Sequence, residues 1–132
     1  MTPAPRHGND RLLTWAVVLV ALHSIAIGIV LIVAGDWGAT FGGWPPARPA
    51  FFLRQFAVFH FAIAAAYLIE FFRYGGVATI IAAKAIAVIS LMGTLAIDHG
   101  PWAVGASALA DAMMAVAVGW LASRGPTIDD AS

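Results

Sequence analysis

Four apolar runs of close to 20 residues each dominate this chain and restrict it to folds that can exist in a bilayer. They extend over about Leu12 to Ala34, Ala50 to Phe72, Val77 to Ile97 and Trp102 to Ser123. Hydrocarbon offers backbone N–H and C=O groups no partners, so a spanning segment must satisfy its own, and single runs of this length do so as helices. The breakers between them, "GDWGATFGGWPPARP", "RYGG" and "DHGP", mark three connections. The last two are short, which predicts antiparallel packing of the second helix on the third and of the third on the fourth. The expected architecture is all-α, an integral membrane antiparallel four-helix bundle over 12–123. Polar tails over 1–11 and 124–132 flank it.

Composition narrows the function classes. The 132 residues are 61% hydrophobic and 11% charged, against roughly 25% charged in an average soluble domain. Lys plus Arg and Asp plus Glu balance at seven each, so overall charge gives no pointer to nucleic acid. With no cysteine, the chain itself offers no disulfide, thiolate metal site or thiol catalysis. The first run exceeds the 7–15-residue core of a signal peptide and is followed by three more, so it reads as a retained span. Trp15, Trp37, Trp44, Trp102 and Trp120 fall near span ends or in the first connection, the placement of an aromatic belt at headgroup depth. If all four runs cross, Arg6, Arg11, Arg73 and Arg124 share one side against Arg48 and Arg54 on the other. The positive-inside tendency then places both termini in the cytoplasm. The first connection reads as a tight loop with aromatic anchors, lying along the outer interface.

Each run also carries an ionisable residue near its midpoint: His23, His60, Lys84 and Asp111. At a rise of about 1.5 Å per residue, the four share one thin layer. Lys or Asp at a helix centre costs roughly 2.5–3.5 kcal/mol on insertion, and such residues ordinarily face the bundle and pair with one another. The expected arrangement is a Lys84–Asp111 ion pair in a polar layer bounded by His23 and His60.

Helix faces support it. Ala57, His60, Ala64, Tyr67 and Phe71 follow a 3–4–3–4 spacing on the second run. Glu70 follows three residues after Tyr67, near the cytoplasmic end. Lys84, Ala87, Leu91 and Thr94 share a stripe on the third run, and Ser107, Asp111, Ala115 and Gly119 form a small-residue ridge on the fourth. The candidate intramembrane site is therefore His23, His60, Tyr67, Lys84 and Asp111, with Arg54, Glu70 and Ser107 as secondary candidates. A buried ion pair can also be a packing device without chemistry, and both readings stay open. No Walker loop, HExxH or calcium-loop pattern is present, and His99 beside Asp98 reads as a solvated turn rather than a metal site.

Arg54 and Gln55 open the second run, His60, Tyr67 and Glu70 follow, Lys84 and Asp111 come later, and "DWGATFGGW" precedes them all. In these features the chain resembles the DoxX-like group of small four-helix membrane proteins. The resemblance implies a bacterial inner-membrane bundle, and some members of that group are linked to quinone-coupled sulfur oxidation or membrane redox complexes. It carries no catalytic assignment.

Three function classes follow as expectations. The first is an accessory or binding protein rather than a stand-alone enzyme, docking on a redox partner or holding a quinone. There Lys84, His60 and Tyr67 would hydrogen-bond a carbonyl while Asp111 and His23 balance charge. The second is a proton-coupled carrier or self-contained membrane enzyme, with a homodimer formed on the ridge at Ser107, Ala115 and Gly119. The third, least favoured, is a b-type haem protein ligated by His23 and His60.

Overall fold

The computed structural model describes residues 8–46 and 48–124, and among these residues there is no strand. In chain order the helices are α1 (Gly8–Val33), a short α2 (Gly35–Phe41), α3 (Phe51–Ile69), α4 (Ala78–Asp98) and α5 (Trp102–Ser123). A wide π turn, Glu70–Tyr74, extends α3. Four segments are long and apolar enough to cross a membrane: Arg11–Val33, Phe51–Tyr74, Ala78–Asp98 and Trp102–Ser123. Their outward faces are apolar too. Leu19, Phe59, Ile89 and Val116, one from each long helix, are each at least 61% exposed, an arrangement that water would penalise and lipid favours. The protein is an all-α, multi-pass membrane protein. The start of α1, the end of α5 and the 74–77 turn lie on one side, the terminal side, and α2 with the 98–101 turn on the opposite, loop side.

Helix α1 starts at Gly8, inside the stretch read from sequence as a polar tail, so its first turn projects beyond the apolar span. There the unpaired N–H groups of a helix start can meet water or headgroups. The rest of both expected tails, including Arg6, lies outside the described residues.

The four long helices do not pack as equal neighbours. Helix α1 packs chiefly on α3, and α4 on α5, and the two pairs meet mainly along α1 and α5. The expected packing of α4 on α5 is found. That of α3 on α4 is not: the two are joined by a short turn yet barely approach one another. Large side chains keep them apart. Tyr67 of α3 and Ile80 of α4 are both buried, meeting Val17 and Val20 of α1 and Val118 of α5 in one apolar cluster.

That cluster occupies the terminal half of the bundle. Towards the loop side most buried positions are small, with Ser24, Ala57 and Ala108 and Gly28 on α1, Val104 at the start of α5 being the exception. Large residues close one half, and small residues leave less to fill the other.

Two glycines permit close approaches. A Cβ on Gly28 would lie 2.7 Å from the Phe61 ring and 3.2 Å from the Ala57 carbonyl oxygen, so α1 and α3 meet there almost backbone to backbone. At the terminal side, the Glu70 carboxylate accepts hydrogen bonds from the first backbone N–H groups of α4, Ala78 at 3.0 Å and Thr79 at 2.8 Å. A Cβ on Gly76 would fall 2.7 Å from Glu70 Oε1. Glu70 thus caps the following helix across the turn, satisfying donors that α4 cannot pair itself and placing negative charge at its positive end.

Helix α2 replaces the tight loop read from sequence. Its glycines look like breakers, yet Asp36 sits in its first turn, Thr40 Oγ1 donates to the Asp36 carbonyl at 2.9 Å, and Trp37 stacks on Phe41 one turn later. Trp102 Nε1 donates to the Phe41 carbonyl at 3.1 Å and its ring meets Phe41 edge-on, tying α2 to the start of α5.

Replacing Gly28 with Val is expected to destabilise the protein by about 1–3 kcal/mol, the usual cost of overpacking. Gly28→Ala should cost less, because the Phe61 ring can turn aside. Thermal unfolding in a mild detergent checks the order wild type, Ala, Val.

Candidate functional site

Lys84 enters from the terminal third of α4, and Asp111 stands near the middle of α5. Their side chains are 8% and 14% exposed, and Lys84 Nζ donates to Asp111 Oδ1 at 2.5 Å. Two like-sized insertion costs are thereby converted into one charge-assisted hydrogen bond in a low-dielectric setting. The predicted pair is present, and it lies within the α4–α5 pair of helices.

The remaining members of the layer surround it. His23 and His60 each lie within Coulombic range of Lys84 and Asp111, and Tyr67 within range of Asp111. The five residues singled out from sequence therefore form one constellation, drawn from all four long helices. Their accessibility differs sharply. Tyr67 is 2% exposed, in the apolar cluster, and Lys84 is buried, whereas His60 is half-buried and His23 is exposed.

His23 opens onto a groove between α1 and α5 of about 510 Å³. One wall is α1, with His23 and Ile27, and the other is α5, with Ala106, Ser107 and Ala110. Trp37, Phe41, Trp44 and Trp102 close its loop-side end. Ala26, Ala106 and Ser107 are exposed at membrane depth, so the groove opens sideways. Its lining is almost wholly apolar, with His23 and Ser107 supplying polar side chains. Such a space suits an apolar body with one hydrogen-bonding group.

This geometry reverses part of the expected division of labour. Lys84 is committed to Asp111 and Tyr67 is enclosed, so neither is the residue presented to a ligand; His23 is. His60 does not line the groove that His23 lines, so that groove would offer a haem one imidazole and not two. Among the described residues no group of three or more His, Asp or Glu is arranged to hold a metal ion. Asp98 and His99 are exposed at the α4–α5 turn, where His99 adopts a left-handed conformation at φ 47°.

The secondary candidates fall apart. Ser107 belongs to the groove. Glu70 is the α4 cap, and Arg54 lies at the loop-side end of α3, on a different cleft. The four-residue ridge on α5 also divides: a Cβ at Gly119 would touch Ile81 of α4 at 3.8 Å, while Ser107 faces the groove. It is not one continuous free surface for a second copy.

Sequence reasoning missed the aromatic end of the groove, reading its tryptophans only as interfacial anchors. The spacing of Ala103, Ala106 and Ala110 on α5 was the available signal, since a strip of alanines opposite the first helix leaves room between them.

Compared with known proteins, the chain matches no family model, no curated protein and no solved structure.

Removing one member of the buried pair strands the other charge, which typically costs about 3–5 kcal/mol. Lys84→Met and Asp111→Leu should each lower the unfolding temperature strongly, and the double variant should recover most of the loss. A double-mutant cycle on thermal unfolding reads the coupling directly.

Proposed function

We propose that this protein is an accessory or binding subunit for a membrane redox system, holding a quinone-class molecule in the α1–α5 groove. The observation that carries the reading is an apolar, sideways-open groove ending on one exposed histidine, beside a buried Lys–Asp pair. A ligand dissolved in the bilayer can enter it without crossing water. Its ring carbonyl can meet His23 at mid-depth while its apolar body lies against Ile27, Ala106 and the aromatic end. A phospholipid fits this groove poorly, because its charged head would have to leave the interface.

The residues fit such a group in three ways. His23 binds and orients a carbonyl oxygen by a hydrogen bond, and Ser107 offers a second polar contact. The aromatic cluster supplies flat surface for offset stacking. Lys84 and Asp111 set the field around His23 and can exchange a proton with it through the layer. A bound quinone would supply two-electron carrier chemistry; the electrons come from a partner protein.

The reading also takes in the resemblance to DoxX-like proteins and, with it, a bacterial inner membrane. Among the described residues, Arg11, Arg73 and Arg124 on the terminal side against Arg48 and Arg54 on the loop side support cytoplasmic termini.

Quinones quench tryptophan emission, and Trp37, Trp44 and Trp102 line the groove. Titrating a short-chain ubiquinone analogue into the purified protein should give saturable quenching. His23→Ala should weaken binding by about fivefold to tenfold, the worth of one hydrogen bond, and Ser107→Phe should abolish it by filling the groove. Quenching that never saturates, or that is identical in all three proteins, would refute the proposal.

A further inference from the structure

A second cleft of about 250 Å³ lies at the loop-side ends of α1 and α3, on the other side of Leu31 and Trp37, which line both it and the groove. Its polar rim is Arg54, on the first turn of α3, and Asp36, on the first turn of α2. Its apolar floor and flank come from Ile32, Val33, Leu53 and Trp37. Ile32 and Val33 are 51% and 79% exposed, so the flank continues directly onto the lipid-facing surface of α1.

The charges do not cancel. Asp36 is held by Arg48 at 3.3 Å, while Arg54 is exposed and forms no ion pair among the described residues. With Arg48 counted beside the Asp36 it pairs with, two guanidiniums face one carboxylate, a net charge of +1 around a cleft of mixed polar and apolar lining. Arg54 stands within one turn of the helix start, at headgroup depth. A guanidinium there has a planar fork of donors matched to a phosphate and is weakly hydrated compared with an ammonium. The exposed Trp37 indole beside it is a residue type that favours the interface.

We propose that this cleft binds the phosphodiester of one anionic phospholipid of the loop-side leaflet. Arg54 grips the phosphate oxygens, the Arg48–Asp36 pair forms the far rim, and an acyl chain lies along Ile32 and Val33. The single net positive charge selects a headgroup carrying one net negative charge over a zwitterionic one. The chemistry shared with free phosphate is the Arg54 contact; the lipid alone also uses the apolar flank.

Native mass spectrometry of the full chain, released from mixed phosphatidylglycerol–phosphatidylcholine nanodiscs, tests this. The wild type should retain one phosphatidylglycerol in preference to phosphatidylcholine. Arg54→Gln should reduce that retention at least tenfold with an unchanged unfolding temperature, and Arg54→Lys should restore part of it. Asp36→Asn moves the other way: it removes the opposing charge, frees Arg48 and should raise retention. Equal retention of the two lipids, or retention indifferent to Arg54→Gln, overturns the proposal. So does inorganic phosphate at millimolar concentration displacing the lipid completely, which would mark a free-anion site. A lost groove ligand with intact lipid retention would count against the quinone reading alone.

Discussion

The Lys84–Asp111 pair is the interaction on which the middle of this molecule depends. An ammonium and a carboxylate near helix centres would each cost roughly 2.5–3.5 kcal/mol on insertion, and their mutual contact offsets that cost in the assembled bundle. The contact fixes the rotation of α4 against α5, because one turned away would present a bare charge to lipid. It also sets the field at mid-depth. His23 and His60 belong to α1 and α3, yet both feel the charges of the other two helices. The polar layer thus couples the two helix pairs by charge at mid-depth, as the Glu70 cap does at the terminal side.

Side-chain size does the rest. Tyr67, Ile80, Val17, Val20 and Val118 fill the terminal half, where all four long helices converge. On the loop side the buried positions other than Val104 are small, α1 and α3 close on each other at Gly28, and the space between α1 and α5 stays open. The groove follows from how volume is distributed along the helices. The short α2 and Trp102 then give that groove its aromatic end.

Much of this was legible in the sequence, and the limits have physical causes. Span positions came within a few residues, since bilayer thickness dictates length. Counting along each span placed His23, His60, Lys84 and Asp111 at one depth, and the ion pair followed from energetics. Helix rotation and pairing were harder. In lipid the outward faces are as apolar as the inward ones, so periodicity does not say which face is buried. Periodicity therefore did not tell that His23, not Lys84, faces the groove, and the packing of α3 on α4 was expected only from the short turn between them. Helix α2 was hidden because Gly35, Gly38, Gly42 and Gly43 read as punctuation, while its support comes from Asp36, Thr40 and a tryptophan on another helix.

The Glu70 cap has a mechanical meaning. Helices α3 and α4 scarcely touch along their lengths, yet at the terminal side a carboxylate bonded to two backbone N–H groups clasps one to the start of the other. The two helix pairs are therefore clasped at both ends, here by Glu70 and on the loop side by the Trp102 hydrogen bond to the Phe41 carbonyl. Over a 20-residue helix of about 30 Å, each degree of rotation about the Glu70 end becomes roughly 0.5 Å of travel at the far end. The aromatic end lies there, so the Phe41–Trp102 contact is what resists that travel.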